Sequence, residues 1–153
     1  MIKEQLRQQI LTQLQADLAL QTAAAKLAHD EAIDEESRPQ NKYDTHSQEA
    51  AYLAAGQAKL VQEITESIGL YQGLNFAEFP TDAPIALGAL VEAGDQWYLI
   101  GPRSGGLEVK LPDGRTVLVI TPASPLGRQL MGRRVGEMVA PAGRTMQPIR
   151  QVG

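Results

Sequence analysis

Residues 2–36, IKEQLRQQILTQLQADLALQTAAAKLAHDEAIDEE, contain neither glycine nor proline and consist mostly of residues that favour helices. Leucine or isoleucine recurs every four residues from Ile2 to Leu18, and Leu20 and Leu27 follow. This spacing puts the apolar side chains on one face of a helix and the glutamines on the other. The sequence therefore predicts a single long amphipathic helix over this range.

A second helix is predicted after a break at Pro39, because proline lacks an N–H group and disfavours helical geometry in the residue before it. Its cap is Asp44, Thr45 or Ser47, and its predicted end is Gly69. Steps of three or four residues, typical of a coiled-coil seam, separate Leu53, Gln57, Leu60, Ile64 and Ile68. Two helices of similar length with a short connection form an antiparallel hairpin with arms of about 40 Å.

The tip of this hairpin is acidic. Residues 1–70 carry 6 Lys/Arg against 11 Asp/Glu, and most of these acids lie near the turn: Asp30, Glu31, Asp34, Glu35, Glu36, Asp44 and Glu49. Such a block repels nucleic-acid phosphates. Carboxylates are ligands suited to Mg²⁺, which also takes phosphate and water oxygens. We expect Asp44, with Glu35 or Glu36, to help hold a metal whose remaining ligands another macromolecule supplies; the alternative is an ordinary solvated helix end.

The second half of the chain has the pattern of a small β-rich domain. Strands are predicted at 85–92, 96–100, 107–111, 115–121, 135–140 and 145–152. Ser124 and Pro125 open a short helix that Gly132 stops. The sequence thus predicts an α+β fold, with a helical hairpin over 1–70, a linker over 71–84 and a β-rich domain over 85–153.

Several classes of site are excluded or disfavoured. The chain of 153 residues has no cysteine, which rules out disulfides and thiolate chemistry, and His29 and His46 are expected on the helix surface or tip rather than as metal ligands. Neither a phosphate-binding glycine motif nor a nucleophile elbow occurs, and Trp97 and Tyr98 are expected to pack in the core and at its edge. We expect no active site of the chain's own and no tightly bound cofactor.

The sequence offers no route into a membrane. No apolar run of about 18 residues occurs, and the first ten residues, MIKEQLRQQI, lack the apolar core of a signal peptide. We therefore expect a cytoplasmic protein without membrane contact.

A family resemblance enters at residues 121–137, TPASPLGRQLMGRRVGE. This segment resembles the S-P-[IL]-[GA]-R-A-L-[LM]-G-K-x-V-G-D segment in the C-terminal domain of the Gre transcript-cleavage factors. Residues 52–55, YLAA, are similar to their Y-x-A-A stretch. Aligned on that stretch, Ser47 keeps its place in the family's tip sequence, Asp44 stands one position from its aspartate, and Gln48 occupies the position of its glutamate. The resemblance implies an antiparallel coiled coil followed by an FKBP-like domain.

The same resemblance implies a role beside bacterial RNA polymerase. In that family the globular domain docks at the mouth of the secondary channel, and the coiled coil reaches inside, where acidic tip residues help hold the second Mg²⁺ for cleavage of backtracked RNA. We predict a Gre-like elongation factor that is not itself an enzyme, is monomeric, shares Mg²⁺ with the polymerase and contacts RNA and DNA only indirectly. The candidate docking residues are Ser124, Arg128, Arg133 and Arg134.

Three alternatives stay open at this point. A regulator could occupy the secondary channel without stimulating cleavage. An FKBP-like prolyl isomerase or chaperone is a second alternative, against which the few aromatic residues argue. A dimeric coiled-coil adaptor, formed if the hairpin opens, is the third.

Overall fold

The computed structural model describes residues 2–36, 46–141 and 143–153. Helix α1 spans Ile2–Glu36, which confirms the first predicted helix. Helix α2 spans His46–Gly73 and continues past its predicted end at Gly69. Gly69 lies on an exposed side of the helix, where glycine costs only about 1 kcal/mol. Burial of Tyr71, whose hydroxyl donates a hydrogen bond to the carbonyl of Arg103, holds the following turn in place.

The start of α1 lies beside the end of α2. Arg7 Nη1 donates hydrogen bonds to the carbonyl oxygens of Tyr71 and Gln72, each at 2.9 Å. These carbonyls belong to the last turn of α2, where backbone acceptors lack helical partners and a cation is favoured. The two helices are therefore antiparallel at this end, as predicted.

Two compact units divide the chain. One consists of Met1–Leu11 together with Gly69–Gly153, and the other is Thr12–Ile68. None of the described helices has an apolar stretch of membrane-spanning length.

Six strands form one sheet in the first unit. They are β1 Leu90–Ala93, β2 Gln96–Ile100, β3 Glu108–Lys110, β4 Thr116–Ile120, β5 Met138–Val139 and β6 Gln147–Val152. Their order is β3-β4-β2-β1-β6-β5, and every neighbouring pair is antiparallel except β2 with β4. Helix α3, Pro125–Leu130, matches the predicted short helix. The predicted α+β class, a helical hairpin with a β-rich domain, is confirmed; the coiled-coil and FKBP-like details stay predictions.

Both faces of the sheet are covered. Tyr98 and Ile100 of β2 join the cluster that includes Leu130 of α3. Because side chains alternate along a strand, Leu99 points to the opposite face, and it is fully buried. Tyr71 packs on that opposite face, since a Cβ added at Gly101 would lie within 3.0 Å of both Tyr71 and Val119.

The two strands that begin three or more residues later than predicted do so for the same reason. Strand β1 begins at Leu90 rather than at residue 85, and β5 begins at Met138 rather than at residue 135. A turn precedes each of them, with Gly88 (φ 88°) or Gly136 (φ 94°) at its third position. That position in a type II turn requires a positive φ, which glycine adopts without strain. The apolar residues before each glycine therefore belong to the turn region and not to the strand.

Candidate functional site

Two of the three predicted metal-directed carboxylates, Glu35 and Glu36, are in the last turn of α1. The third, Asp44, lies outside the described residues. Within the described residues, no three histidine, aspartate or glutamate side chains are grouped so that they could hold a metal ion. The shared Mg²⁺ site at the tip thus stays a prediction.

Ser124 is the N-cap of α3. Its Oγ accepts a hydrogen bond from the N–H of Gly127 at 3.0 Å and donates one to the carbonyl of Thr121 at 2.7 Å. A serine that satisfies a free N–H at a helix start stabilises the helix by about 1 kcal/mol. The hydroxyl therefore has a structural role and sets where the following residues emerge.

Gly127 fixes the distance between α3 and the end of β4. A Cβ at this position would lie 1.9 Å from the carbonyl oxygen of Thr121, so no larger residue fits. Gln129 ties the same helix to the residue after β5, since its side chain donates to the carbonyl of Ala140 at 2.9 Å and accepts from the N–H of Ala140 at 2.8 Å. These contacts hold α3 firmly against the sheet.

The three predicted arginines lie on and just after this helix, and all are exposed. Arg128 Nε donates to the carbonyl of Ala123 at 2.9 Å, and Arg133 Nε donates to that of Gln129 at 3.0 Å. Glu137 accepts from the backbone N–H of Arg134 at 2.6 Å and lies 3.7 Å from Arg133 Nη1. The structure thus brings Arg133 and the backbone of Arg134 together around one carboxylate, and hydrogen bonds to backbone carbonyls orient the side chains of Arg128 and Arg133.

Exposed apolar side chains that the sequence analysis did not single out accompany these arginines. Met131, Val135 and Met138 are 36%, 37% and 42% exposed. Sequence position places them between or beside the arginines, but the predicted strand at 135–140 assigned Val135 to the sheet. The glycine turn at 134–137 was the signal that could have identified it as exposed. We call Arg128, Met131, Arg133, Arg134, Val135 and Met138 the basic–apolar surface.

A mixture of arginine and methionine is typical of protein-binding surfaces. Arginine and methionine are enriched at protein–protein interfaces, and arginine is among the residues that contribute most to binding. Methionine is flexible and adapts to the shape of a partner. The basic–apolar surface therefore suits an acidic protein partner better than a small molecule.

Comparisons with known proteins give the following matches. No family model and no curated protein matches the chain. Among solved structures, the chain is similar to the crystal structure of GreA factor homolog 1 of Thermus thermophilus, with 18% identity and a TM-score of 0.35 over 94% of each chain. A second structure, of the transcription factor Gfh1, matches with 18% identity and a TM-score of 0.36 over 93% of this chain and 92% of that one.

Proposed function

We propose that this chain is a Gre-like accessory factor of bacterial RNA polymerase, acting in the cytoplasm as a monomer. In this proposal the basic–apolar surface docks on the polymerase near its secondary channel. The helical hairpin enters the channel, and Asp44, with Glu35 or Glu36, helps the polymerase hold its second Mg²⁺ during cleavage of backtracked RNA. The protein supplies ligands to a catalytic centre that belongs to the polymerase.

The observation that supports docking is the structure of the segment 121–137, on which the family resemblance rests. The small residues of this segment have structural roles: Ser124 caps α3, and Gly127 allows its close approach to Thr121. Arg133 and Arg134 have no place in the core and extend from the surface. A segment that combines a rigid support with outward arginines fits a docking element.

Two-metal chemistry is the physical basis for the role of the tip. A second divalent ion stabilises the attacking and leaving oxygens of a phosphoryl displacement, and the ion needs oxygen ligands to stay bound. A hairpin with an acidic tip can bring carboxylates to a centre that is short of them. No step of the cleavage itself requires a base or nucleophile of this chain.

Binding to core polymerase tests the docking part. We expect full-length protein to capture purified bacterial core polymerase, and the double variant Arg133→Glu/Arg134→Glu to bind at least about tenfold more weakly, because reversing charges at a complementary surface turns attraction into repulsion. Arg150→Glu, which reverses an exposed arginine of β6, is the control and should bind normally. Equal binding by all variants would disprove docking through the basic–apolar surface.

A cleavage assay tests the tip. On backtracked elongation complexes with Mg²⁺, we expect the protein to shorten the RNA from its 3′ end. Asp44→Ala should slow this reaction by about tenfold or more, because each 1.4 kcal/mol of lost ligand energy is a factor of ten in rate. Asp17→Ala, at an exposed position of α1, should leave the rate unchanged.

A second candidate is a channel-occupying regulator that does not stimulate cleavage. The observation in its favour is Gln48, a neutral amide where the resembled family has a glutamate. Polymerase binding without RNA shortening, together with no effect of Asp44→Ala, would establish this second candidate and disprove the first.

A further inference from the structure

A pocket of about 420 Å³ lies within the unit formed by Met1–Leu11 and Gly69–Gly153. Its wall includes Trp97 from β2 and both Phe76 and Phe79 from the segment after α2. These are the chain's single tryptophan and its two phenylalanines. All three side chains are half-buried, and Phe79 also packs against the core cluster of the sheet. Trp97 is half-buried in β2, and part of it lines this pocket.

A cation accompanies each of these rings. Lys3 Nζ lies 4.7 Å from the centre of the Phe79 ring, and the Arg115 guanidinium lies 4.7 Å from that of Trp97. The third pair, Arg7 over Phe76, has a separation of 5.0 Å. Lys3 and Arg115 also line the pocket, against a single acidic lining residue, Glu78. The lining side chains therefore bring two cations and one carboxylate to the pocket, and Asp113 pairs with one of these cations, Arg115.

The buried position of Lys3 strengthens its attraction for an anion. Its side chain is only 8% exposed, and both hydrogen bonds of Nζ go to backbone carbonyls, those of Ala77 at 2.6 Å and Gly88 at 2.9 Å. Burial lowers the pKa of Lys3 to about 8, a change that the charge of Glu78 partly opposes. A buried ammonium gains more from a nearby anion than an exposed one does.

Asp113 holds the Arg115 side chain in place and leaves other N–H groups of its guanidinium for a ligand. Asp113 Oδ2 accepts from Arg115 Nε at 2.8 Å and lies 2.7 Å from Nη2. A guanidinium carries five N–H donors in a planar fork, so further donors can reach a ligand while this pair stays intact. Arginine in such an arrangement suits phosphate oxygens, to which it binds with two parallel hydrogen bonds.

We propose that this pocket binds a nucleotide, with the base packed against the aromatic side chains and the phosphate bound by the remaining N–H donors of Arg115 and Lys3. Stacking of a base on an aromatic side chain contributes about 1–3 kcal/mol, and the volume falls in the range of small-ligand sites. The site differs from a glycine-rich phosphate loop, which the sequence lacks. This ligand is independent of the polymerase role, so either proposal can fail without the other.

Trp97 makes the test direct, because it is the single tryptophan of the chain and fluorescence excited selectively at tryptophan reports on the pocket wall. We expect adenosine monophosphate and guanosine monophosphate to change this fluorescence in a saturable way. Adenosine and ribose phosphate, tested separately, should each bind at least about tenfold more weakly, since each lacks one of the two interactions. No saturable change with either nucleotide would overturn the proposal, and so would ribose phosphate binding as tightly as the nucleotides.

Variants separate the pocket from unspecific binding. Arg115→Ala should weaken nucleotide affinity by about tenfold or more, because a hydrogen bond to a charged group contributes at least about 1.5 kcal/mol. Arg144→Ala is the matched control, since Arg144 also pairs with an aspartate, Asp95, at 3.5 Å, and does not line the pocket. Equal affinity of the two variants would overturn the assignment.

Calorimetric titration of the same variants is needed because Arg115→Ala also changes the surroundings of Trp97. Phe76→Leu removes a ring from the wall and leaves Trp97 and Arg115 in the sequence. This variant should weaken binding in the same measurement. Saturable binding of a proline-containing peptide, with no binding of nucleotides, would replace the proposed ligand class by a peptide.

Discussion

At position 127 the space for a side chain is occupied by the backbone of residue 121. The Thr121 carbonyl would lie 1.9 Å from a Cβ, and this carbonyl also accepts the hydrogen bond of Ser124 Oγ. If Thr121 moves to make room for a side chain at position 127, the helix cap at Ser124 must therefore be disturbed as well. Gly127 thus determines whether α3 can support the arginines that follow it.

We expect Gly127→Ala to lower the free energy of unfolding by about 2 kcal/mol or more, because overpacking against backbone forces the chain to move. Gly69→Ala is the matched control, because this glycine is helical and has nothing within 4 Å of an added Cβ. Alanine at this position should raise the free energy of unfolding by up to about 1 kcal/mol. Urea denaturation of both variants measures the two changes. Changes of the same sign would contradict the structure around residue 127.

The residues that carry the two proposals could be predicted from the sequence to different degrees. Ser124, Arg128, Arg133 and Arg134 could be identified from their motif, because capping and charge are local properties of a sequence. The burial of Lys3 could not, since the carbonyls that accept its hydrogen bonds lie more than seventy positions away along the chain. Contacts between distant segments leave no periodic signal.

At the scale of elements, the apolar stripe of α1 has two different environments. Leu14 is 5% exposed, whereas Leu20 and Leu27, on the outer part of the helix, are 66% and 63% exposed. Helix α2 shows the same change, from buried Ile64 to exposed Leu53. The 3.6-residue period predicted the stripe correctly, but a period cannot say how closely a neighbouring helix approaches each leucine.

Substitution of these leucines tests the difference. We expect the double variant Leu20→Gln/Leu27→Gln to lose no more than about 1 kcal/mol of stability, because exposed positions contribute little. Leu14→Ala should cost about 2–5 kcal/mol through the cavity it leaves. Thermal unfolding followed by the helical circular dichroism signal measures both. A double variant as unstable as Leu14→Ala would show that the outer leucines are buried.

At the scale of the whole molecule, Lys3 joins three parts of one unit: α1, the segment containing Ala77, and the turn at Gly88. The ammonium of Lys3 lies in a buried site whose low polarity lowers the pKa of Lys3 to about 8. Below that pH the folded protein carries a buried charge, which reduces its stability. Between pH 8 and the unfolded value of 10.5, the folded state loses this proton while the unfolded state keeps it.

The free energy of unfolding of the unmodified protein should therefore rise with pH over that interval, relative to Lys3→Met, by on the order of 2 kcal/mol. Urea denaturation of both proteins across this interval measures the difference. Lys59→Met, which removes an exposed lysine of α2, should show no such relative change. A fall in the stability of the unmodified protein relative to Lys3→Met would contradict the burial of this ammonium.

The β-sheet unit takes its parts from two distant stretches of the chain, because Leu6 and Ile10 are buried in the unit that also contains β1 to β6. During synthesis the ribosome delivers these two side chains long before it delivers β6. The unit that buries these two side chains is therefore incomplete until β6 has been made, and contacts between residues so far apart in the chain form late in folding. Final folding of this unit has to wait for the last of its strands, whereas the unit Thr12–Ile68 is complete far earlier.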